Sequence, residues 1–220
     1  MSLFDIFKKH KNEVKMTYGG ITFRAPKPMS NDEYQKFRKA QADWLEKHYD
    51  LNSIEGVRSI PVSANLPKYP KSGAMDVTGD VDYYLRQKSH EHEQNGNMEL
   101  AILCLQKSNA IRELTFNGYR KSDYYALVRI LARDGQIDAA QAEKNRLDKK
   151  FRNDHFEGED KVIETEARRG NEARAFVWIQ QNLPELCPKS LSGFRRMKSQ
   201  NTKNYQKIVQ AAAEKGYTIS

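Results

Sequence analysis

At 220 residues, with 38% hydrophobic and 30% charged residues, 11 Tyr and 9 Phe, the chain is too aromatic for a disordered protein and too polar for a membrane core. No run approaches the roughly 20 apolar residues that span a bilayer, and the start Met-Ser-Leu-Phe-Asp-Ile-Phe-Lys-Lys has neither the basic region nor the long apolar region of an export signal. The net charge of +8 is unevenly placed: residues 1–49 hold 10 Lys+Arg against 6 Asp+Glu, residues 50–186 hold 20 against 22, and residues 187–220 hold 7 against 1.

The cysteines Cys104 and Cys187 lie far apart and form no CxxC, which argues against a disulfide scaffold or zinc ribbon and places the protein, as an expectation, in the reducing cytoplasm. In chain order, Val14 to Arg24 alternates partly around Gly19-Gly20, a two-residue turn signal that predicts a small β-hairpin. Pro26 and Pro28 end it. Ser30-Asn-Asp-Glu33 then has the Ser-x-x-Glu spacing of a capping box, and Tyr34, Phe37, Gln41, Trp44, Leu45 and His48 follow at helical intervals, predicting an amphipathic helix over 31–49. The short amphipathic start, Leu3, Phe4, Ile6 and Phe7 with Lys8, Lys9 and Lys11, is too short to anchor alone on a membrane. Leu51 to Asp80 is rich in Pro, Gly, Ser and Asn, including Pro61, Pro67, Pro70 and Gly73, and reads as an extended connector that holds the domain boundary.

After Asp80 one spelling recurs. Gly96-Asn-Met-Glu-Leu-Ala101, Gly135-Gln-Ile-Asp-Ala-Ala140 and Gly170-Asn-Glu-Ala-Arg-Ala175 each place an alanine five positions after a glycine, with Gly-to-Gly spacings of 39 and 35 residues. Glycine tolerates a tight turn and alanine lets two helices approach closely. In these places the sequence resembles the tetratricopeptide repeat family, a helix-turn-helix unit of about 34 residues. The resemblance implies stacked helical hairpins over residues 80–186, either true repeats of that family or a degenerate array with the same packing logic. The stretches Asp-Tyr-Tyr-Leu-Arg, Gly-Asn-x-Glu-Leu-Ala and Pro-Lys-Ser-Leu-Ser-Gly-Phe are also similar to helical proteins of Gram-positive bacteria and their mobile elements, a likeness that implies no function. The expected architecture is therefore mainly α: residues 1–50 form a β-hairpin plus helix, 51–79 a connector, 80–186 antiparallel helical hairpins, and 187–220 a basic helical cap.

Candidate chemistry is sparse. His90 and His92 stand two apart, so on a helix their rings point about 200° away from each other and cannot share a metal ion. No Gly-x-Gly-x-x-Gly, P-loop, Gly-x-Ser-x-Gly or His-Glu-x-x-His is present, and the expectation is a protein that is not an enzyme and uses no cofactor or metal.

Two binding surfaces stand out. Stacked hairpins offer a concave face from their first helices, where Tyr84, Gln87, His92, Tyr124, Tyr125, Arg129 and Arg133 fall, a surface for a protein or peptide partner. The C-terminal segment sets Lys189, Arg195, Arg196, Lys198, Lys203 and Lys207 among Phe194, Tyr205 and small polar residues, a mixture able to contact phosphates and stack on bases in a mobile-element or defence-related complex. The same segment also reads as a cap: Leu191, Phe194 and Met197, then Tyr205, Ile208, Val209 and Ala212, recur at helical intervals across a break near Ser199 to Thr202. The leading expectation is a protein-interaction module, with nucleic-acid binding through the tail as its alternative.

Overall fold

The computed structural model describes residues 13–18, 21–26, 31–62, 77–114 and 120–219. It is mainly helical and divides into two compact units, Met1–Asn117 and Gly118–Ser220. Among the described residues, no helix is long and apolar enough to cross a membrane.

In the first unit, strands β1 (Glu13–Tyr18) and β2 (Ile21–Pro26) pair antiparallel, Glu13 opposite Pro26 and Tyr18 opposite Ile21. The Gly19-Gly20 turn and the Ser30 capping box expected beside them lie outside the described residues, as does the amphipathic start. Helix α1 (Asn31–His48) brings Leu45 into a core with Leu51, Val57, Ile60, Val81, Leu85, Cys104 and Ile111. Each such aliphatic side chain, fully buried, contributes about 1.5–3 kcal/mol.

Three of those core residues correct the reading of 51–79 as an extended connector. Ser53 caps α2 (Ile54–Ser59) by accepting from the Gly56 backbone N–H at 3.1 Å, and the helix turns Val57 inward. Lys107 then donates to the carbonyl oxygens of Arg58 and Ile60 at 2.8 and 2.6 Å, satisfying acceptors that a six-residue helix leaves orphaned. A proline-rich composition is hostile to a long helix, but a six-residue one with two tertiary anchors escapes that rule. The remainder of the stretch, 63–76, is outside the described residues.

Helices α3 (Val77–Gln94) and α4 (Met98–Leu114) pack along each other across a turn at Asn95–Asn97. Gly96 sits there at φ 78°, and Ala101 is fully buried, as the Gly-x4-Ala spelling requires. Between them an ion pair of Asp82 with Arg112 lies buried, and Ser108 donates to the Asp82 carbonyl at 2.9 Å.

In the second unit, α5 (Lys121–Asp134) ends on Gly135, whose φ of 91° is left-handed, and α6 (Ile137–Lys150) follows at once with Ala140 fully buried. Gly170 behaves differently. It lies inside one continuous helix, α7 (Val162–Asn182), so the third expected turn does not exist. A Cβ on Gly170 would stand 2.0 Å from the Arg133 carbonyl oxygen; the glycine serves close approach of α7 to the end of α5. The expected array over 80–186 is thus two turn-linked helix pairs, separated by the boundary at Asn117–Gly118, followed by a single long helix.

The C-terminal segment forms α8 (Leu191–Ser199) and α9 (Lys203–Glu214). Their break is set by Asn201 at φ 45°, a conformation asparagine tolerates, and by Thr202, whose hydroxyl accepts from the Tyr205 N–H at 3.2 Å. Phe194, Ile208 and Ala212 are buried against Ala175, Ile179 and Leu183 of α7 and its end. Thr202→Ala removes the cap and is expected to lower stability by about 1 kcal/mol, which circular dichroism would record as a melting point about 4–8 °C lower for a unit of roughly 100 residues.

Candidate functional site

Of the seven residues expected to line a concave partner surface, His92, Tyr124 and Tyr125 are buried. His92 is 4% exposed, and its Nε2–H donates to the Leu51 carbonyl at 2.8 Å, tying α3 to the start of the α2 segment. His90, two residues away, is exposed, so the two imidazoles diverge as helix geometry dictates. Tyr84 is half-buried and hydrogen-bonds to Glu46, with Lys88 over its ring at 5.7 Å. Burial first, then the Glu46 carboxylate, push its hydroxyl well above the ordinary tyrosine value. Gln87 is exposed.

Tyr124 and Tyr125 are 3% and 0% exposed because α5 packs against both α6 and α7. Tyr124 meets Phe151 at 5.4 Å with Lys150 over its ring, and Tyr125 stands edge-on to Phe156 at 4.6 Å. Neither ring is available to a partner. Arg133 is half-buried, donating to Glu166 at 2.9 Å, while Arg129 is exposed. Gln87 and Arg129, the two open members of the set, belong to different units. Tyr124, Tyr125, Leu127, Val128, Ile130 and Leu131 spread over an apolar arc wide enough to meet two neighbouring helices, while Arg129 lies on the remaining open side.

No motif in the sequence announces a buried polar cluster around Lys121. The Lys121 ammonium, 1% exposed, ion-pairs with Glu159 and lies 2.7 Å from Asp148 Oδ1, and Lys144 lies 2.9 Å from Asp148 Oδ2. Burial alone would lower the Lys121 pKa, but hydrogen bonds and attraction from Asp148 and Glu159 outweigh it and leave the pKa raised. The cluster fastens the loop after α6 to the start of α5, where the Lys121 N–H also donates to Asp154 Oδ2 at 2.8 Å. Every charge in it has an opposite partner, which makes it an internal brace.

The basic segment presents a two-sided arrangement. Its apolar side chains turn inward: Phe194 is fully buried and packs on Phe176 and Tyr205 at 6.3 and 6.0 Å. Phe194 is therefore unavailable for base stacking, a correction to the phosphate-plus-stacking reading. The cations turn outward. Lys189, Arg196, Lys203 and Lys207 are exposed and have no ion-pair partner among the described residues. Arg195 and Lys198 are half-buried and both face Glu172 on α7, at 2.8 and 3.8 Å. Neither helix carries an acidic residue in its first turn. Among the described residues no cluster of three or more metal-ligating side chains is present.

Compared with family models, curated proteins and solved structures, the chain matches none.

Proposed function

We propose that the protein is a non-enzymatic binding module that engages nucleic acid through the outer faces of α8 and α9. One observation carries the reading: four exposed cations with no ion-pair partner among the described residues lie on or next to α8 and α9, three of them where local stability opposes them. Lys203 occupies the first position of α9, Lys207 follows four residues later, and Lys189 immediately precedes the Ser190 cap of α8. Positive charge near a helix N-terminus opposes the macrodipole, and like charges four apart repel, each by some tenths of a kcal/mol. Sequences break such local rules chiefly at functional sites.

The apolar faces of both helices are spent on packing, so the surface lacks the exposed hydrophobic stripe by which amphipathic helices enter a membrane. Capping the unit and binding phosphates are compatible, because they use opposite sides of the same helices. The reading of the chain as a protein-partner module has less support, since His92, Tyr124 and Tyr125 are enclosed. A tetratricopeptide-like relationship of the two turn-linked helix pairs belongs to the proposal as well, supported by Gly96/Ala101 and Gly135/Ala140.

The test is binding of the full chain to a fluorescent DNA duplex and to the matching single strand as salt is raised. Retention is expected to weaken with salt and to disappear when Lys189, Arg196, Lys203 and Lys207 are replaced together by Ala. A charge-matched control, Arg129, Lys149, Arg152 and Arg168 to Ala, removes four exposed cations elsewhere in the unit and should leave binding nearly intact. Equal loss in both variants, or binding to anionic vesicles but not to DNA, rejects the site.

A further inference from the structure

We infer that Glu172 is a built-in counter-ion that withholds Arg195 and Lys198 from the phosphate-binding set and so limits the protein's hold on nucleic acid. The inference rests on the α8–α9 reading above.

Glu172 projects from the middle of α7, is 12% exposed in its side chain, and has one oxygen on each cation: Oε2 on Arg195 Nε at 2.8 Å and Oε1 on Lys198 Nζ at 3.8 Å. Arg195 and Lys198 stand three apart on one stripe of α8, and Arg196 and Ser199 on another, open one. The helix thus divides its positive charge between a face turned to a fixed carboxylate and a face turned to solvent. The Tyr205 hydroxyl, raised first by burial and then by the Glu172 charge, places that carboxylate's influence on α9 as well.

A phosphate reaching Arg195 or Lys198 must displace a carboxylate that is already ordered and partly desolvated, so it gains little there. Lys189, Arg196, Lys203 and Lys207 carry no such partner, and they constitute the contact set. With Phe194 enclosed, contact is to the backbone and independent of base sequence.

The consequence is a countable number. The logarithm of the binding constant falls with the logarithm of salt at about −0.9 per phosphate neutralised on B-form DNA, so four contacts give a slope of about −3.6 and six of about −5.4. The experiment is a salt titration of the full chain on a duplex. Wild type is expected near the first value. Glu172→Gln should steepen the slope toward the second and tighten binding at low salt, and Glu172→Gln combined with Arg195→Gln and Lys198→Gln should restore the wild-type slope. Glu172→Ala should repeat the steepening, and near-ultraviolet circular dichroism of the Trp178–Tyr217 stack verifies that each variant is folded. A slope unchanged by both Glu172 variants overturns the inference while leaving the binding site standing. Absence of any salt-dependent binding by wild type overturns the underlying reading, and the inference with it.

Discussion

Replacing Lys121 with Met is expected to lower the stability of residues 118–220 by about 3–5 kcal/mol, because it leaves Glu159 buried without its opposite charge. Methionine matches the lysine stem in volume, so the change removes charge and little packing. Glu159 is 8% exposed in its side chain and Asp148 35%, so Glu159 takes most of the penalty. Replacing Lys121 by Met and Glu159 by Leu together should recover much of the loss, since a buried pair exchanged for apolar groups is often neutral. Urea unfolding in a Trp44→Phe background isolates the signal of Trp178, the other of the two tryptophans. A single-variant loss under about 1 kcal/mol would show that water reaches these charges and that the brace reading is wrong.

The pH dependence has a definite sign. Burial pushes the Asp148 carboxyl up, but hydrogen bonds from Lys121 and Lys144 outweigh it and hold its pKa below the usual 3.8. A depressed carboxylate stabilises the fold fully above its unfolded value and loses that contribution as pH falls through the folded value. The acid limb of the wild-type stability curve below pH 3.8 should therefore be shallower in Lys121→Met, where only Lys144 remains to hold the carboxylate.

Gly170→Ala is expected to destabilise the same unit by about 2 kcal/mol or more, despite improving helix propensity. Alanine in a helix interior gains about 1 kcal/mol over glycine. Against that, its Cβ would stand 2.0 Å from the Arg133 carbonyl oxygen and 2.8 Å from the carbonyl carbon. Overpacking against backbone that cannot rotate away costs about 3 kcal/mol, the upper end of the usual range. The contact is braced further by Arg174, which donates to the same Arg133 oxygen at 2.7 Å, so opening the α5–α7 crossing also loses that hydrogen bond. A melting point lower by about 8–16 °C is the expected reading for a unit of this size. A neutral or stabilising outcome would mean that α5 and α7 do not cross this closely.

Gly170 also shows why the sequence was partly legible. Gly96, Gly135 and Gly170 stand in the same Gly-x4-Ala spelling, and two of them take a positive φ at a turn while the third lies in a continuous helix. Glycine answers two different needs, a left-handed backbone and an absent side chain. Which need applies depends on whether another backbone passes within van der Waals distance, and no local pattern records that. Tyr124 and Tyr125 differ from the expected open face for a related reason: α5 packs against both α6 and α7, and helical spacing does not say how many neighbours an apolar arc meets.

In the candidate site, the inward residues Phe194, Ile208 and Ala212 and the break at Asn201–Thr202 follow from periodicity and capping chemistry, which act within a turn or two. Glu172 lies 23 residues from Arg195 and nothing near either residue announces the pair. The sequence by itself determined that the chain is mainly helical, that helices turn at Gly96 and Gly135, and that α8 and α9 have one apolar and one basic side, because backbone preference and amphipathic spacing are local properties. Only the tertiary structure decided that Leu51, Val57 and Ile60 belong to a core, that Lys121 is enclosed among carboxylates, and that two of the six basic residues of α8 and α9 and their approach share one carboxylate, because close approach and charge pairing depend on which distant segments meet.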